Sequence, residues 1–244
     1  MGVIKNPKYA YLFGRQPFYF KALKILFYYY SRAVFTFYSP LKVYGKSNIP
    51  NESFIFCSNH NSHMDVAILA VSVDKDFNHF GMLAARDYWF DNWIRRTSIN
   101  LVMNLIPIER YNKSGERELT IKDTESMCDA FMNYNSRNLI IFPEGTRGTP
   151  GRVNPFKRGA ARFSLNLRKP ILPAVIYGSH KVWPKGKFFF SLPTNISIYI
   201  LKPVYPDSFI KSENPSDEEL AIATNKINDT IEKMIKDKAD EIYE

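Results

Sequence analysis

Two side chains five positions apart, His60 and Asp65, could together move a proton, and they stand where an apolar run stops. Phe54-Ile55-Phe56-Cys57 is short, β-prone and continuously apolar, which predicts one buried strand. The polar cluster from Ser58 onward cannot continue that strand without hydrogen-bond partners. From Asp65 the run Val66-Ala67-Ile68-Leu69-Ala70 predicts a buried helix, with Ser62 as its N-cap and Asp65 three positions on. Residues five apart on a regular helix lie about 140° apart and cannot meet, so a contact needs His60 in the turn before the helix and Asp65 in its first turn. A neutral imidazole held through one nitrogen by a carboxylate takes a proton from a hydroxyl with the other, and the carboxylate stabilises the resulting cation. His60 is thus a candidate general base and Asp65 its orienting acid. Two plainer readings use the same residues. Ser62-His63-Met64-Asp65 is also a capping box, in which His60 merely closes the turn. His60, His63 and Asp65 are also metal-ligand types, but helical zinc motifs space their histidines by four, and His79 and His180 add no recognisable third-ligand pattern; no metal is expected.

The same handover from apolar run to charged residues recurs along the chain. Phe80 to Ala85 stops at Arg86-Asp87, Leu105-Ile106-Pro107-Ile108 at Glu109-Arg110, and Leu139-Ile140-Ile141-Phe142 at Pro143-Glu144-Gly145-Thr146-Arg147. Between these strands, helical spacing marks a short segment with Trp89, Phe90, Trp93 and Ile94 and a longer one over residues 114–134. Leu41 to Gly45 reads as an earlier strand, and Ile171 to Ile176 and Asn195 to Leu201 as later ones, with a helix containing Ala160, Ala161, Phe163, Leu165 and Leu167 before them. A C-terminal surface helix starts at the capping box Ser216–Glu219 and carries Leu220, Ile227, Ile231, Met234 and Ile235 on one stripe. Alternation of this kind predicts an α/β fold with a mostly parallel or mixed central sheet covered by helices. In such sheets ligands collect at the carboxyl ends of the strands, where His60, Arg86, Arg110, Glu144 and Arg147 all fall.

A chain of 244 residues can bury a full core. Its charge of +9, from 33 Lys and Arg against 24 Asp and Glu, favours an anionic partner without choosing between nucleic acid, an acidic membrane surface and a phosphorylated ligand. Aromatic residues make up 15% of the chain, and they are densest from Pro17 to Tyr38. There Lys21, Lys24, Tyr28, Ser31 and Arg32 share one narrow helical face, while apolar and aromatic side chains cover the rest. Three charges make this a poor spanning helix, whereas aromatics flanked by Lys and Arg suit a helix at the headgroup boundary. Packing of the broad face on the main domain is the competing reading. Two domains are expected: residues 1–40 as a helical membrane-docking segment, and 41–244 as the α/β domain. No RNA- or DNA-binding signature is present, and no nucleic-acid partner is expected. The two cysteines form no disulfide framework, and the polar start carries neither a leader nor a myristoylation pattern, so a peripheral location on the cytoplasmic face of a membrane with anionic lipid is expected.

Four of these blocks, in order, resemble the glycerolipid acyltransferases, above all the bacterial 1-acyl-sn-glycerol-3-phosphate acyltransferases. Asn59-His60-Asn61-Ser62-His63-Met64-Asp65 is similar to that family's His-x4-Asp motif, Ile106-Pro107-Ile108-Glu109-Arg110 to its second block, Phe142-Pro143-Glu144-Gly145-Thr146-Arg147 to its third and Ile171-Leu172-Pro173-Ala174-Val175 to its fourth. Glu109 stands where the family usually has Asp, Arg86 where many members carry Lys, and His63 at a variable position. The resemblance implies transfer of a fatty acyl group from an acyl carrier protein or coenzyme A thioester to lysophosphatidic acid, with no other cofactor. It assigns His60 as base and Asp65 as its partner, with Arg86, Arg110, Glu144, Gly145, Thr146, Arg147 and Lys157 about the acceptor. A relative acylating glycerol 3-phosphate or another lysolipid, and a catalytically silent lipid-binding relative, are the alternatives.

Overall fold

Seven strands and eight α-helices follow one another in the computed structural model, which describes residues 9, 12, 16–90, 93–109, 119–149, 152–184, 187, 190–210, 212 and 215–243. The strands are β1 Leu41–Tyr44, β2 Ile55–Ser58, β3 Phe80–Ala85, β4 Asn104–Ile108, β5 Asn138–Ile141, β6 Ile171–Tyr177 and β7 Ile196–Ile200. The helices are α1 Phe18–Ala33, α2 Asp65–Ser72, α3 Arg86–Trp89, α4 Trp93–Asn100, α5 Ile121–Asn133, α6 Gly159–Leu167, α7 Ser179–Val182 and α8 Asp217–Tyr243. Contacts group the chain into two interleaved units, Met1–Tyr29 with Lys75–Ile140, and Tyr30–Asp74 with Ile141–Glu244.

In the second unit β2 pairs parallel with β6, β6 antiparallel with β7, and β7 parallel with β1. Every residue of β2 is buried, as are the first six of β6, which explains why these strands read as unbroken apolar runs: neither has a solvent face. By contrast β7 alternates, with Ile196, Ile198 and Ile200 inward and Ser197 and Tyr199 half-buried. α6 and α8 pack on each other and on β6. The predicted capping box of α8 is present: Ser216 N donates to Glu219 Oε2 at 2.8 Å, and Glu219 N to Ser216 Oγ at 3.2 Å. Its buried stripe is Ala223, Ile227, Ile231, Ile235 and Ala239. The mixed pairing and helical covering agree with the α/β fold expected from the alternation.

In the first unit β3 lies between β4 and β5, parallel to both. Gly81 lets the layers close, since a Cβ there would come within 2.8 Å of the Phe131 ring and 2.9 Å of Ile106. α5 begins at Ile121 behind a Thr120–Asp123 capping box, later than the start at Ser114 read from sequence; residues 114–118 lie outside the described residues.

α1 is amphipathic as expected, but the middle of the stripe read as polar turns inward, with Lys21 half-buried and Arg32 exposed at its ends. Lys24, Tyr28 and Ser31 are buried, while Phe18, Leu26, Tyr29 and Tyr30 are exposed. Lys24 Nζ donates to Gln16 Oε1 at 2.9 Å, Gln16 Nε2 donates to Asn104 Oδ1 at 2.8 Å, and Asn104 Nδ2 donates to the Phe77 and Phe80 carbonyls. Burial pushes the Lys24 ammonium down to about 7, Arg137 pushes the same way and Asp76 opposes. A π-helical turn, Val34–Tyr38, follows, with Phe35 buried and Phe37 85% exposed. Among the described residues no helix is long and apolar enough to cross a membrane.

Candidate active site

β2 stops because Asn59 replaces its ladder. The Asn59 amide donates to the Ile176 carbonyl at 2.9 Å and its Oδ1 accepts from Ile176 N at 2.8 Å, so a side chain pairs with β6 where a backbone would have continued. The chain then turns at His60. Asp65 Oδ2 accepts three hydrogen bonds, from His60 Nδ1 at 2.9 Å, Asn61 N at 2.7 Å and Ser62 N at 2.8 Å. This carboxylate is 1% exposed, and the imidazole it holds is 20% exposed. With Asp65 accepting from Nδ1–H, the lone pair of His60 resides on Nε2, which makes no hydrogen bond among the described residues. His60 and Asp65 therefore meet in the manner their spacing required.

Ser62 does less for α2 than its position suggested. The helix begins at Asp65 behind Met64, which gives no side-chain cap. Ser62 instead caps the turn ahead of it: its Oγ accepts from Met64 N at 3.1 Å and donates to the Trp183 carbonyl at 2.8 Å. Half of the capping box survives, because Asp65 still accepts from Ser62 N, but the carboxylate that would complete it also serves His60.

The loop after β5 holds the His60 backbone from both sides. His60 N donates to Glu144 Oε1 at 3.1 Å, and Gly148 N donates to the His60 carbonyl at 2.8 Å. Glu144 also accepts from Asn154 N and Nδ2, at 3.2 and 3.0 Å. Burial raises the Glu144 pKa, with the hydrogen bonds from His60 and Asn154 opposing. Glu144 is thus a brace for the turn. The Phe142 ring stacks on the His60 imidazole, centroids 3.9 Å apart and planes 13° from parallel. Gly145 takes φ +72°, and a Cβ there would lie 2.6 Å from Lys157 Nζ, so the lysine occupies the space a side chain would fill. Thr146 and Lys157 are exposed; Arg147 is half-buried and meets His63 through Nη1 and Nε2.

Seven of the nine expected site residues, His60, Asp65, Glu144, Gly145, Thr146, Arg147 and Lys157, belong to the second unit. Arg86 belongs to the first, at the carboxyl end of β3, where its Nη1 pairs with Glu109 Oε1 at 3.3 Å; Glu109 Oε2 accepts from Leu119 N at 2.7 Å. Arg110 lies outside the described residues. Sequence reasoning missed Asn154 and Trp183, which sit in loops without a motif, and weighed His63 only as a metal-ligand type. Among the described residues no group of three His, Cys, Asp or Glu side chains is placed to hold a metal ion.

A match to the acyltransferase family covers residues 40–177, more than half of the chain and inclusive of the four blocks. The chain belongs to this family. A 1-acyl-sn-glycerol-3-phosphate acyltransferase of Limnanthes douglasii is 28% identical over 172 residues, 70% of this chain and 56% of that protein. One from Borreliella burgdorferi is 27% identical over 159 residues, 65% of this chain and 58% of that protein. The chain thus spans little more than half the length of these relatives. The solved 1-acyl-sn-glycerophosphate acyltransferase PlsC of Thermotoga maritima shares the fold, with a TM-score of 0.60 at 23% identity over 91% of this chain and 79% of that one.

Proposed function

We propose that this acyltransferase-family chain moves a fatty acyl group from the thioester of acyl carrier protein or coenzyme A to the free hydroxyl of lysophosphatidic acid, giving phosphatidic acid in phospholipid biosynthesis. The observation that carries the reading is the three-bond anchoring of Asp65 Oδ2, which fixes the tautomer of His60 and leaves Nε2 as the basic atom. The relatives named above as 1-acyl-sn-glycerol-3-phosphate acyltransferases support the acceptor. His60 Nε2 takes the hydroxyl proton as the oxygen attacks the thioester carbonyl. Asp65 stabilises the imidazolium, the tetrahedral intermediate collapses, and the thiolate leaves with the proton returned by His60. No acyl-enzyme is needed.

The acceptor phosphate is dianionic to monoanionic near neutral pH, and Arg147 offers it a fork of N–H donors, to which the exposed Lys157 ammonium and Thr146 hydroxyl are proposed to add. Arg86, engaged with Glu109, and Arg110 are further cations proposed for this role. The exposed aromatic and aliphatic side chains of α1 and the π-turn, Phe18, Leu26, Tyr29, Tyr30 and Phe37, support docking on an anionic membrane surface, here proposed as the cytoplasmic face. A thiol-release assay over a panel of acceptors tests the chemistry. We expect His60→Ala to lower turnover with lysophosphatidic acid by about 10²- to 10⁴-fold. Undiminished turnover removes the general base, thiol release without acceptor indicates a thioesterase, and preference for glycerol 3-phosphate replaces the acceptor.

A further inference from the structure

We infer that His63 is a positioning residue for the acceptor: its Nε2 accepts an N–H of Arg147 and holds that guanidinium in place to receive the phosphate. This rests on the acyl-transfer reading, in which Arg147 contacts the acceptor. An arginine has donors only, so a neutral partner that fixes it must offer a lone pair, and a neutral imidazole has one to give. The pair joins the two segments of the site, His63 from the turn between His60 and Asp65, and Arg147 from the loop whose Glu144 and Gly148 hold the His60 backbone. His63 is itself buttressed. Its ring lies 5.2 Å from that of Trp183, whose carbonyl accepts from Ser62 Oγ, and Ser62 forms a backbone bridge to Pro184. Among the described residues Arg147 makes no other hydrogen bond, so its remaining N–H groups are open to a phosphate.

A neutral partner differs from a carboxylate in one respect: it steadies the guanidinium without neutralising it. Protonation reverses the relation, since an imidazolium has no lone pair for Arg147 and repels it. Burial, Arg147 and His60 all lower the His63 pKa below its ordinary value, while Asp65 opposes, so the accepting form prevails at neutral pH and is lost in acid.

The experiment measures KM and kcat for lysophosphatidic acid in the thiol-release assay, from about pH 5.5 to about pH 8, for the parent, His63→Phe and His63→Gln. Phe keeps a ring against Trp183 and removes the acceptor; Gln keeps an acceptor that does not titrate in this range. We expect His63→Phe to raise KM about five- to tenfold at the upper end with kcat changed by less than about twofold, the size of one hydrogen bond to a charged group. We expect His63→Gln to restore KM and to flatten its rise in acid, leaving only the titration of the substrate phosphate. An active parent whose KM is unmoved by His63→Phe overturns the inference alone, as does a His63→Gln variant that fails as Phe does or a loss confined to kcat. A parent that never acylates lysophosphatidic acid removes the functional reading and this inference with it.

Discussion

The helices α1 and α8 are both amphipathic by spacing, yet they bury opposite kinds of face. α8 turns Ala223, Ile227, Ile231, Ile235 and Ala239 inward, with Asp217, Glu218 and Glu219 in its first turn, as a helix bounded by a core and water should. α1 turns Lys24, Tyr28 and Ser31 inward and leaves Phe18, Leu26, Tyr29 and Tyr30 exposed. Helical periodicity therefore establishes that a helix has two faces, but not what each face meets. The medium is decided by the neighbours. Where Gln16 and Asn104 supply a hydrogen-bonded relay, a lysine can be enclosed.

The largest effect that sharpens this contrast is expected in α8. Ile231→Ala should destabilise the protein by about 2–5 kcal/mol in urea unfolding, the cost of deleting a fully buried side chain. A smaller loss would mean that the stripe is not a true core face. Next comes the enclosed lysine. Its folded pKa near 7 lies below the ordinary 10.5, so between those values the unfolded chain holds a proton that the folded chain has released. Stability should therefore climb with pH across that window, by at most about 1.4 kcal/mol per pH unit, and be flat on this account below it. Unfolding curves of Lys24→Met should lack the climb; an unchanged slope would place the lysine in water. Smallest in stability are changes to the uncovered side of α1. Leu26→Ser and Phe37→Ser should each shift stability by less than about 0.5 kcal/mol, while the double variant sediments several-fold less with anionic vesicles. Losses comparable to that of Ile231→Ala would show that this face is packed after all, and the contrast with α8 would dissolve.

How far the sequence could be read follows from where the determinants lie. The seven strands and the longer helices were legible because their periods and lengths are local properties, and the buried strands β2 and β6 announce themselves by unbroken apolar runs; the four-residue α7 was not read, and the one short helix read about Trp89 to Ile94 is divided into α3 and α4. The meeting of His60 and Asp65 was legible because a five-residue spacing admits contact only across a turn followed by a helix. The antiparallel pairing of β6 with β7 was not, since the sequence shows alternation without direction. Nor was the orientation of α1, which depends on Asn104, far along the chain. Ser62 looked like a helix cap because the capping pattern is indifferent to a carbonyl arriving from Trp183. His63 was weighed only as a metal-ligand type for a related reason: its contact comes from Arg147, which nothing in its own neighbourhood mentions.

Because His60 is pinned at its amide by Glu144 and at its carbonyl by Gly148, the His60 turn and the loop that carries Arg147 form one mechanical assembly. Attempts to re-tune the acceptor by grafting residues 143–157 from a cousin would carry the imidazole along with them. The transplantable module is the pair of segments together, and chimaeras cut between them should fail even when each half is individually native.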